Sequence, residues 1–292
     1  MSAHNSRSAS LYIALFSFLF SFVAIGCAQS APSISANQLA RAIVSNELKI
    51  SDQNQSRWAY VAEKEEAGKK QTKRVIETAY GSLERVIAVN GVPLTPEQQR
   101  AESERVARLA KSPYELRKLE QAKQKDADQC RAFFKMIPET FVFDYAGQSG
   151  ELVKLTFKPN PNYQPPTREG RVLHHMTGQM WVHPKQLRLG AIYGTLLDDV
   201  KFGGGILGHL NKGGQFTVKR TEIAEGRWEL TELDVSMTGK ALCFKSIAVQ
   251  QKELRTDFQQ VPDETTLADA ANMLNQPTFM ASNKAGILKA SR

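Results

Sequence analysis

The sequence has few cysteines, only one long apolar run and no motif of a known catalytic centre, and each absence excludes a class of protein. Three cysteines in 292 residues are too few for a small domain held together by disulfides. A single apolar run, near the amino terminus, excludes a membrane protein with several transmembrane helices. None of the motifs GxSxG, HExxH and CxxC occurs, so the sequence indicates no enzyme.

The composition is that of a basic globular protein. Apolar residues make up 41% of the chain and charged residues 23%, which is typical of a folded domain and not of a disordered or collagen-like chain. The formal net charge of +8 suits an anionic membrane surface. Basic residues are interleaved with acidic ones, and no recognition motif accompanies them, so we expect no nucleic-acid partner.

Residues 1–26 have the pattern of a secretory signal. Leu11–Ile25 is apolar and uncharged, short for a transmembrane helix but normal for a signal peptide. Ala24-Ile25-Gly26-Cys27 is similar to a lipobox, whose cysteine is lipidated in bacterial lipoproteins, whereas Ala28-Gln29-Ser30 fits ordinary cleavage. We favour the lipobox because it gives Cys27 a role.

Export would place the mature chain in an oxidising compartment. If Cys27 carries lipid, Cys130 and Cys243 remain as an even pair. They either form one disulfide or stay apart as two buried thiols, because the sequence does not fix the Cα separation that a bridge needs. The helical apolar stripe that includes Cys130 predicts that this side chain faces a core.

Amphipathic patterns predict helices in three parts of the chain. Ser35-Ala36-Asn37-Gln38 has the form of a capping box and begins a helix over about residues 36–48. Thr95 and Ser112, each followed by proline, begin two helices in a charged insertion at about residues 95–137. Its mixed charges predict a solvated surface. A short helix follows at about 265–274, and residues 277–292 form a mobile tail.

The remaining mature sequence alternates apolar and polar residues, as antiparallel strands do. Three β-rich runs between Trp58 and Val89 predict a meander, and further strands follow Pro138. About ten strands in one sheet must curl. We therefore predict an α+β fold in which one domain, residues 31–276, forms a strongly curved antiparallel sheet, an incomplete β-barrel of about ten strands covered by helices.

The dry face of this sheet carries large apolar side chains that either fill a core or line a cavity. A cavity would bind an amphiphile by burying its apolar chain, at roughly 25 cal/mol per Å² removed from water. The predicted lining residues are Phe141, Phe143, Leu155, Phe157, Tyr193, Phe216, Trp228 and Leu230.

Histidines and a glycine run are weaker candidates for chemistry. A tight turn at Thr177-Gly178 would bring His174 and His183 to one face, within reach of a shared ion. No third ligand is near, so we expect ordinary histidines and no metal or cofactor. The run Gly203–Gly208 matches GxGxxG, but β-like sequence flanks it on both sides, which favours a bent strand over a dinucleotide site.

The β-rich part resembles a known family of exported proteins. The residues that carry the resemblance are Phe141-Val142-Phe143, Leu155-Thr156-Phe157-Lys158-Pro159, Met176–Val182, Val200–Gly208, Lys212–Phe216 and Gly226-Arg227-Trp228. They are similar to the outer membrane lipoprotein-sorting proteins of the LolA/LolB-like class in Gram-negative bacteria. The resemblance implies an incomplete barrel closed by helices over an apolar cavity that holds acyl chains. The charged insertion at about 95–137 departs from the core carriers.

We therefore expect a non-enzymatic lipoprotein on the periplasmic side of a Gram-negative envelope, anchored through Cys27. It would bind a lipid or acyl chain and take part in lipid or lipoprotein trafficking to the outer membrane, with an envelope protein as a further partner. One alternative is a metal-assisted hydrolase that uses His174 and His183. The other is a structural or interaction protein with a filled core.

Overall fold

The computed structural model describes residues 34–276 except 203, 205–207 and 242–244. The predicted signal peptide, Cys27, Cys243 and the predicted tail at 277–292 lie outside the described residues. From Ile34 onward the described chain forms one compact unit. None of the helices in this unit is both long enough and apolar enough to cross a membrane.

The described chain contains five helices and thirteen strands. The helices are α1 (Ala36–Gln53), α2 (Pro96–Lys111), α3 (Pro113–Thr140), α4 (Arg168–Leu173) and α5 (Leu267–Asn275). The strands are β1 (Trp58–Glu66), β2 (Lys69–Thr78), β3 (Gly81–Val89), β4 (Val92–Pro93), β5 (Phe141–Ser149), β6 (Leu152–Pro159), β7 (Met176–His183), β8 (Arg188–Leu196), β9 (Val200–Phe202), β10 (Gly208–Leu210), β11 (Gln215–Ala224), β12 (Arg227–Ala241) and β13 (Lys245–Gln260).

All described strands belong to one antiparallel sheet that is not closed into a barrel. Its order is β4-β3-β2-β1-β13-β12-β11-β8-β7-β6-β5, and β10 joins β12 with β9 beside it. The α+β class and the antiparallel sheet are confirmed. The count exceeds the predicted ten because β4, β9 and β10 have only two or three residues each, too few for an alternating pattern to indicate a strand.

One face of the sheet, which we call the inner face, packs against α1 and the end of α3. Phe143, Phe157, Gly178, Gly194 and Phe216 lie opposite one another on five neighbouring strands and so share this face. The capping box at Ser35 begins α1 as predicted, and the buried stripe of α1 packs on this end of the sheet.

The opposite face, the outer face, is covered by helices at the other end of the sheet. Ala59, Ile76 and Leu83 lie opposite one another on β1, β2 and β3. They pack with apolar residues of α2 and α5. Neighbouring residues of a strand point to opposite faces, so Tyr60 and Val75 belong to the inner face. The two ends of the sheet therefore carry helices on opposite sides.

A bulge in β8 moves Tyr193 to the outer face. Trp181 lies opposite Ala191, but Val182 lies opposite Leu189, so β8 has one extra residue here. Without this extra residue, alternation along β8 from Leu189 would place Tyr193 on the inner face. The extra residue shifts the pattern by one position, so Ile192 packs in the inner core instead. The prediction that Tyr193 lines the inner face is therefore wrong.

Two glycines leave room for aromatic rings on the inner face. A Cβ atom on Gly194 would lie 2.2 Å from Cε1 of Phe216, and one on Gly178 would lie 2.6 Å from Cζ of Phe157. The rings occupy the space beside these glycines that other side chains would fill. Close packing in this layer therefore depends on glycine at both positions.

We predict that Gly194→Ala destabilises the protein by about 2 kcal/mol, because the added methyl group displaces the Phe216 ring. Gly190→Ala is the matched control on the same strand, since its Cβ atom would be no closer than 3.3 Å to any neighbour. Urea unfolding measures both variants. Phe216→Leu should recover part of the loss in the Gly194→Ala background, and additive effects of the two substitutions would contradict this packing.

Candidate functional site

The first part of the predicted cavity lining forms a filled core. Phe141, Phe143, Leu155 and Phe157 are buried and pack against α1. The ring centroids of Phe141 and Phe157 are 4.5 Å apart, and those of Phe143 and Phe157 are 6.0 Å apart. This end of the inner face is thus occupied by its own side chains.

The inner face becomes less buried toward the middle of the sheet. Apolar residues of β11, β12 and β13 form what we call the central strip: Phe216, Val218, Leu233, Val235, Met237 and Val249. The pairs Phe216–Val235, Val218–Leu233 and Met237–Val249 lie directly opposite one another, so the six side chains share one face. Five of them are only partly buried, and Val249 is exposed, at 44%.

Beyond the central strip the same face carries charge. Glu253 of β13 lies opposite both Leu233 and Lys64, and Arg255 lies opposite Ala62. The Arg255 guanidinium stands 5.1 Å from the centre of the Tyr60 ring, a cation–π contact. Burial raises the pKa of Tyr60. The inner face therefore passes from apolar at β5–β8 to charged and aromatic at β13 and β1.

Helix α3 links the cores on the two faces. Leu116 packs in the outer-face core, whereas Ile137 packs in the inner-face core. Between them, every residue from 121 to 130 is exposed, so this segment packs against neither core. We call it the α3 bridge. Cys130 lies in the bridge and is exposed, so the prediction that it faces a core is wrong.

Charged residues of α2 and α3 cover the edge of β3. Glu102 accepts a hydrogen bond from Val86 N at 2.7 Å, and Arg105 donates one to Glu84 O at 2.6 Å. Glu120 accepts a hydrogen bond from Ser82 N at 3.1 Å. These side chains pair with backbone groups that a further strand would otherwise satisfy. The insertion is thus only partly the solvated surface that its mixed charges predicted.

Glu84 fixes the start of the α3 bridge to the sheet. Its carboxylate lies 2.8 Å from Lys123 Nζ and 3.1 Å from Lys73 Nζ. Burial opposes ionisation of Glu84, but the two ammonium groups outweigh it and lower the pKa to about 2. The ion pair therefore persists well into the acidic range.

The sheet divides at one end. The pairing of β12 with β13 runs only as far as Glu232 and Leu254. Beyond this point, residues 227–230 of β12 pair with β11, while residues 255–260 of β13 pair with β1. We call this separation the fork. A gap between neighbouring strands leaves space that side chains must fill or that a ligand can enter.

A pocket of about 260 Å³ lies beside the arm of the fork that β12 forms with β11, and no described residue of β13 or β1 is among its lining residues. It is formed by the end of α1, the start of β8 and the β11–β12 turn. The lining residues of this fork pocket are Glu47, Ile50, Ser51, Asn54, Arg188, Arg220, Gly226, Arg227, Trp228 and Glu229. The lining is strongly charged, unlike the apolar cavity that the sequence predicted.

Glu47 holds one wall of the fork pocket together. It accepts hydrogen bonds from Arg188 Nε at 2.9 Å and from Leu189 N at 2.8 Å, and it also pairs with Arg220. The side chains of Glu47 and Arg188 are only 4% and 5% exposed. A buried carboxylate needs such partners because burial without them is costly. The network joins α1 to β8 and β11.

Two charged residues of the fork pocket have no such partners. Among the described residues, neither Arg227 nor Glu229 makes a hydrogen bond or ion pair, although both line the pocket. Burial raises the pKa of Glu229, and the field of Arg220 opposes that rise. Arg227 is exposed, and its charge, like that of Arg220, acts to lower the pKa of Glu229, so the two groups already interact electrostatically.

A buried indole near the fork also lacks a partner. Trp58 is 5% exposed, and its Nε1–H makes no hydrogen bond within the described part of the chain. The backbone N–H of Trp58 donates to Glu77 at 3.0 Å. Burial raises the pKa of Glu77, and the negative charge of Glu229 adds to the rise, which places Glu77 within electrostatic range of the pocket.

The last two residues of the predicted cavity lining, Trp228 and Leu230, do not belong to the filled core. Trp228 is buried, but it borders the charged fork pocket, and its Nε1–H donates to Gln186 at 2.7 Å. Leu230 is half-buried and lies opposite Arg220. Sequence reasoning missed Glu47, although a glutamate within the apolar stripe of α1 was a signal of a buried carboxylate.

The predicted tight turn at Thr177-Gly178 is wrong, because both residues lie inside β7. Thr167 caps the short helix α4 just before His174, where the sequence predicted a strand.

His174 Nε2 lies 2.8 Å from Asn160 O, and His183 is buried and accepts a hydrogen bond from Gln186 N. The described residues contain no cluster of three or more potential metal ligands.

The glycine run joins two strands. Gly208 begins β10, which pairs antiparallel with β9, so a strand follows the run where a dinucleotide site requires a helix. Gly204 has a φ of +66°, which favours glycine in the connection. Other residues of the run, including Gly203 and Gly205, lie outside the described part of the chain.

Comparison of the chain with models of known protein families and with curated proteins found no match. The resemblance to lipoprotein carriers therefore stays a prediction.

We predict that Glu47→Gln destabilises the protein by about 3 kcal/mol, because it leaves Arg188 buried without its counter-charge. Glu139→Gln is the matched control, since Glu139 pairs with Arg41 where both side chains are more than half exposed, and should cost less than about 1 kcal/mol. Urea unfolding at neutral pH compares the two. Equal effects would show that the Glu47 network is not a stabilising contact.

We predict that Glu84→Gln destabilises the protein by about 2 kcal/mol at neutral pH. The native pKa of about 2 lies below the ordinary value of 4.5, so this stabilisation is complete above about pH 4.5 and declines as the pH falls toward 2. Urea unfolding at pH 7 and near pH 3 should show a smaller difference between wild type and variant at the lower pH. Glu115→Gln, at an exposed 3.7 Å pair with Arg108, is the control, and a pH-independent difference for Glu84→Gln would contradict the prediction.

Proposed function

We propose that this protein is a non-enzymatic binding protein of the cell envelope that holds an amphiphile, a lipid or an acyl chain, on the inner face of its sheet. The sheet would curve strongly around the ligand, and the α3 bridge would act as its cover. In this proposal the chain is lipid-anchored and takes part in lipid or lipoprotein trafficking to the outer membrane.

The observation that carries the proposal is the incomplete burial of the central strip. Full burial of one large apolar side chain contributes about 1.5–3 kcal/mol, and part of this is forgone at each of the six residues of the strip while they stay partly exposed. An apolar ligand lying on the strip recovers it. Contiguous apolar surface next to polar residues is a common mark of a binding site.

The fork pocket supplies a place for the polar end of such a ligand. Val218 of the central strip and Arg220 of the pocket lie two residues apart on β11, which is about 7 Å along a strand. Even positions of β11 face the same way, so both side chains belong to the inner face. Apolar and charged surfaces in this order match an amphiphile with its chain on the strip and its head at the fork.

A second candidate is a structural or interaction protein. The filled core formed by Phe141, Phe143, Leu155 and Phe157 favours it, because the part of the inner face nearest to β5 offers no space for a chain. The charged surface of the α3 bridge would then meet an envelope partner.

We predict that the wild-type protein binds a dansyl-labelled fatty acid and that Val218→Lys weakens this binding at least about tenfold, the equivalent of about 1.4 kcal/mol. Thr217→Lys is the matched control, since it places the same charge on the outer face of the same strand. Fluorescence titration measures both variants, after unfolding experiments show that each is folded.

Val235→Phe tests the same site without charge, because the larger ring fills the strip and should also weaken binding. Native mass spectrometry of gently extracted protein provides an independent measurement of carried lipid. A wild-type protein that carries no lipid and binds no fatty acid would contradict the proposed function and favour the interaction protein.

A further inference from the structure

We propose that this protein forms a homodimer in which the first residues of β13 pair with the same residues of a second copy and join the two sheets into one. The contact is made at an edge of the sheet by backbone hydrogen bonds. It does not require the proposed ligand, so this inference goes beyond the proposed function.

Six residues of β13 have a neighbouring strand on one side only. Strand β13 begins at Lys245, and its pairing with β12 covers residues 245–254. Pairing with its other neighbour, β1, starts only at Gln251, which lies opposite Glu66. No other described strand pairs with β13. Residues 245–250 therefore form what we call the free edge, along which alternate residues direct backbone N–H and C=O groups away from the sheet.

The two outermost long strands of the sheet, by contrast, are covered by side chains. Residues of α2 and α3 form hydrogen bonds with the backbone of β3. At the opposite end of the sheet, Asn37 of α1 accepts a hydrogen bond from Phe143 N of β5 at 2.9 Å. Within the described part of the chain, no side-chain hydrogen bond of this kind reaches the backbone of Val249 or Gln250 on the free edge.

The sequence of the free edge favours pairing with another strand. Residues 246–251 are Ser-Ile-Ala-Val-Gln-Gln, without a charge or a proline. The register with β12 is unbroken here, so no bulge bends the strand away. Proteins commonly protect an exposed edge with charges, proline or a bulge, whereas β-branched residues such as Ile247 and Val249 favour strands. The usual obstacles to pairing are thus missing at this edge.

A two-fold axis perpendicular to the sheet makes a second copy of the chain a suitable partner. Such an axis brings the same strand of both copies together in antiparallel order. The backbone groups of the two strands meet only if residues of equal parity lie opposite one another, so one residue must lie opposite its own copy.

The length of the free edge places Ile247 on this axis. Lys245 then lies opposite the partner's Val249, so no like charges oppose one another. An axis at Ala248 would instead bring the partner's Lys245 opposite Gln251, the place that β1 already occupies. The pairing is therefore confined to residues 245–249 of both copies.

The dimer would join the central strips of the two copies. Facing residues of equal parity keep the inner faces of both sheets on the same side. Val249 belongs to the central strip and is 44% exposed. The apolar surface of one copy would therefore continue into that of the other across the new strand pair.

The test is the oligomeric state of the full mature protein in solution. Sedimentation velocity over a range of concentrations should show an equilibrium between monomer and dimer, with no larger assembly. Hydrogen exchange should become slower at residues 245–250 as the concentration rises and should not change at β3. A protein that is monomeric at every concentration, or a dimer without protection at residues 245–250, would overturn the inference.

Ile247→Lys and Ile247→Glu test the two-fold register. Each variant alone places like charges opposite one another and should weaken dimerisation at least about tenfold. An equal mixture of the two variants should recover the dimer, because lysine then lies opposite glutamate. Ser236→Lys is the matched control, since it adds a charge at an exposed position of β12 away from the free edge, and should dimerise like the wild type. A mixture no more dimeric than its separate components would overturn this contact.

Deletion of residues 277–292 distinguishes a second copy from the chain's own carboxyl-terminal segment. We expect the shortened protein to dimerise like the wild type. A monomeric wild type that becomes dimeric on this deletion would show that the segment itself occupies the free edge, and would overturn the inference.

Discussion

The contact on which the arrangement most depends is the buried carboxylate of Glu47. It holds Arg188, Arg220 and the backbone of Leu189 at the end of α1. One side chain thereby fixes the helix over the inner face and positions β8 and β11 beside the fork. A charged contact of this kind is directional, since its geometry requires hydrogen bonds, whereas apolar packing alone would tolerate a shifted helix.

The side chains on the inner face change in burial and polarity from one edge of the sheet to the other. Aromatic rings fill it near β5, partly exposed apolar residues follow at β11 and β12, and charges appear at β13 and β1. Such an order leaves the middle of the sheet with apolar surface that no helix of the described chain fully covers. The proposed ligand would occupy this middle region, with its polar end near the fork pocket.

Sequence reasoning predicted the fold class because local patterns report it. The capping box at Ser35, the N-cap Thr95 followed by proline and the alternation in the strands are short-range signals. The errors have long-range causes. The extra residue in β8 reverses the face of Tyr193. Helix α3 leaves the outer-face core before it reaches Cys130, so this side chain is exposed although it belongs to an apolar stripe. The fork pocket could not be predicted, because its charged residues come from α1, β8, β11 and β12 and meet only in the folded sheet.

The α3 bridge limits how the length of the chain can vary. An α-helix turns by about 100° per residue, so one inserted or deleted residue between 121 and 130 would rotate Ile137 away from its core while Leu116 stayed in place. Loss or gain of about seven residues, close to two full turns, would preserve both orientations but would change the spacing of the two ends. Relatives of this protein should therefore keep the bridge constant in length and keep Lys123, which pairs with Glu84, while its other exposed side chains diverge freely.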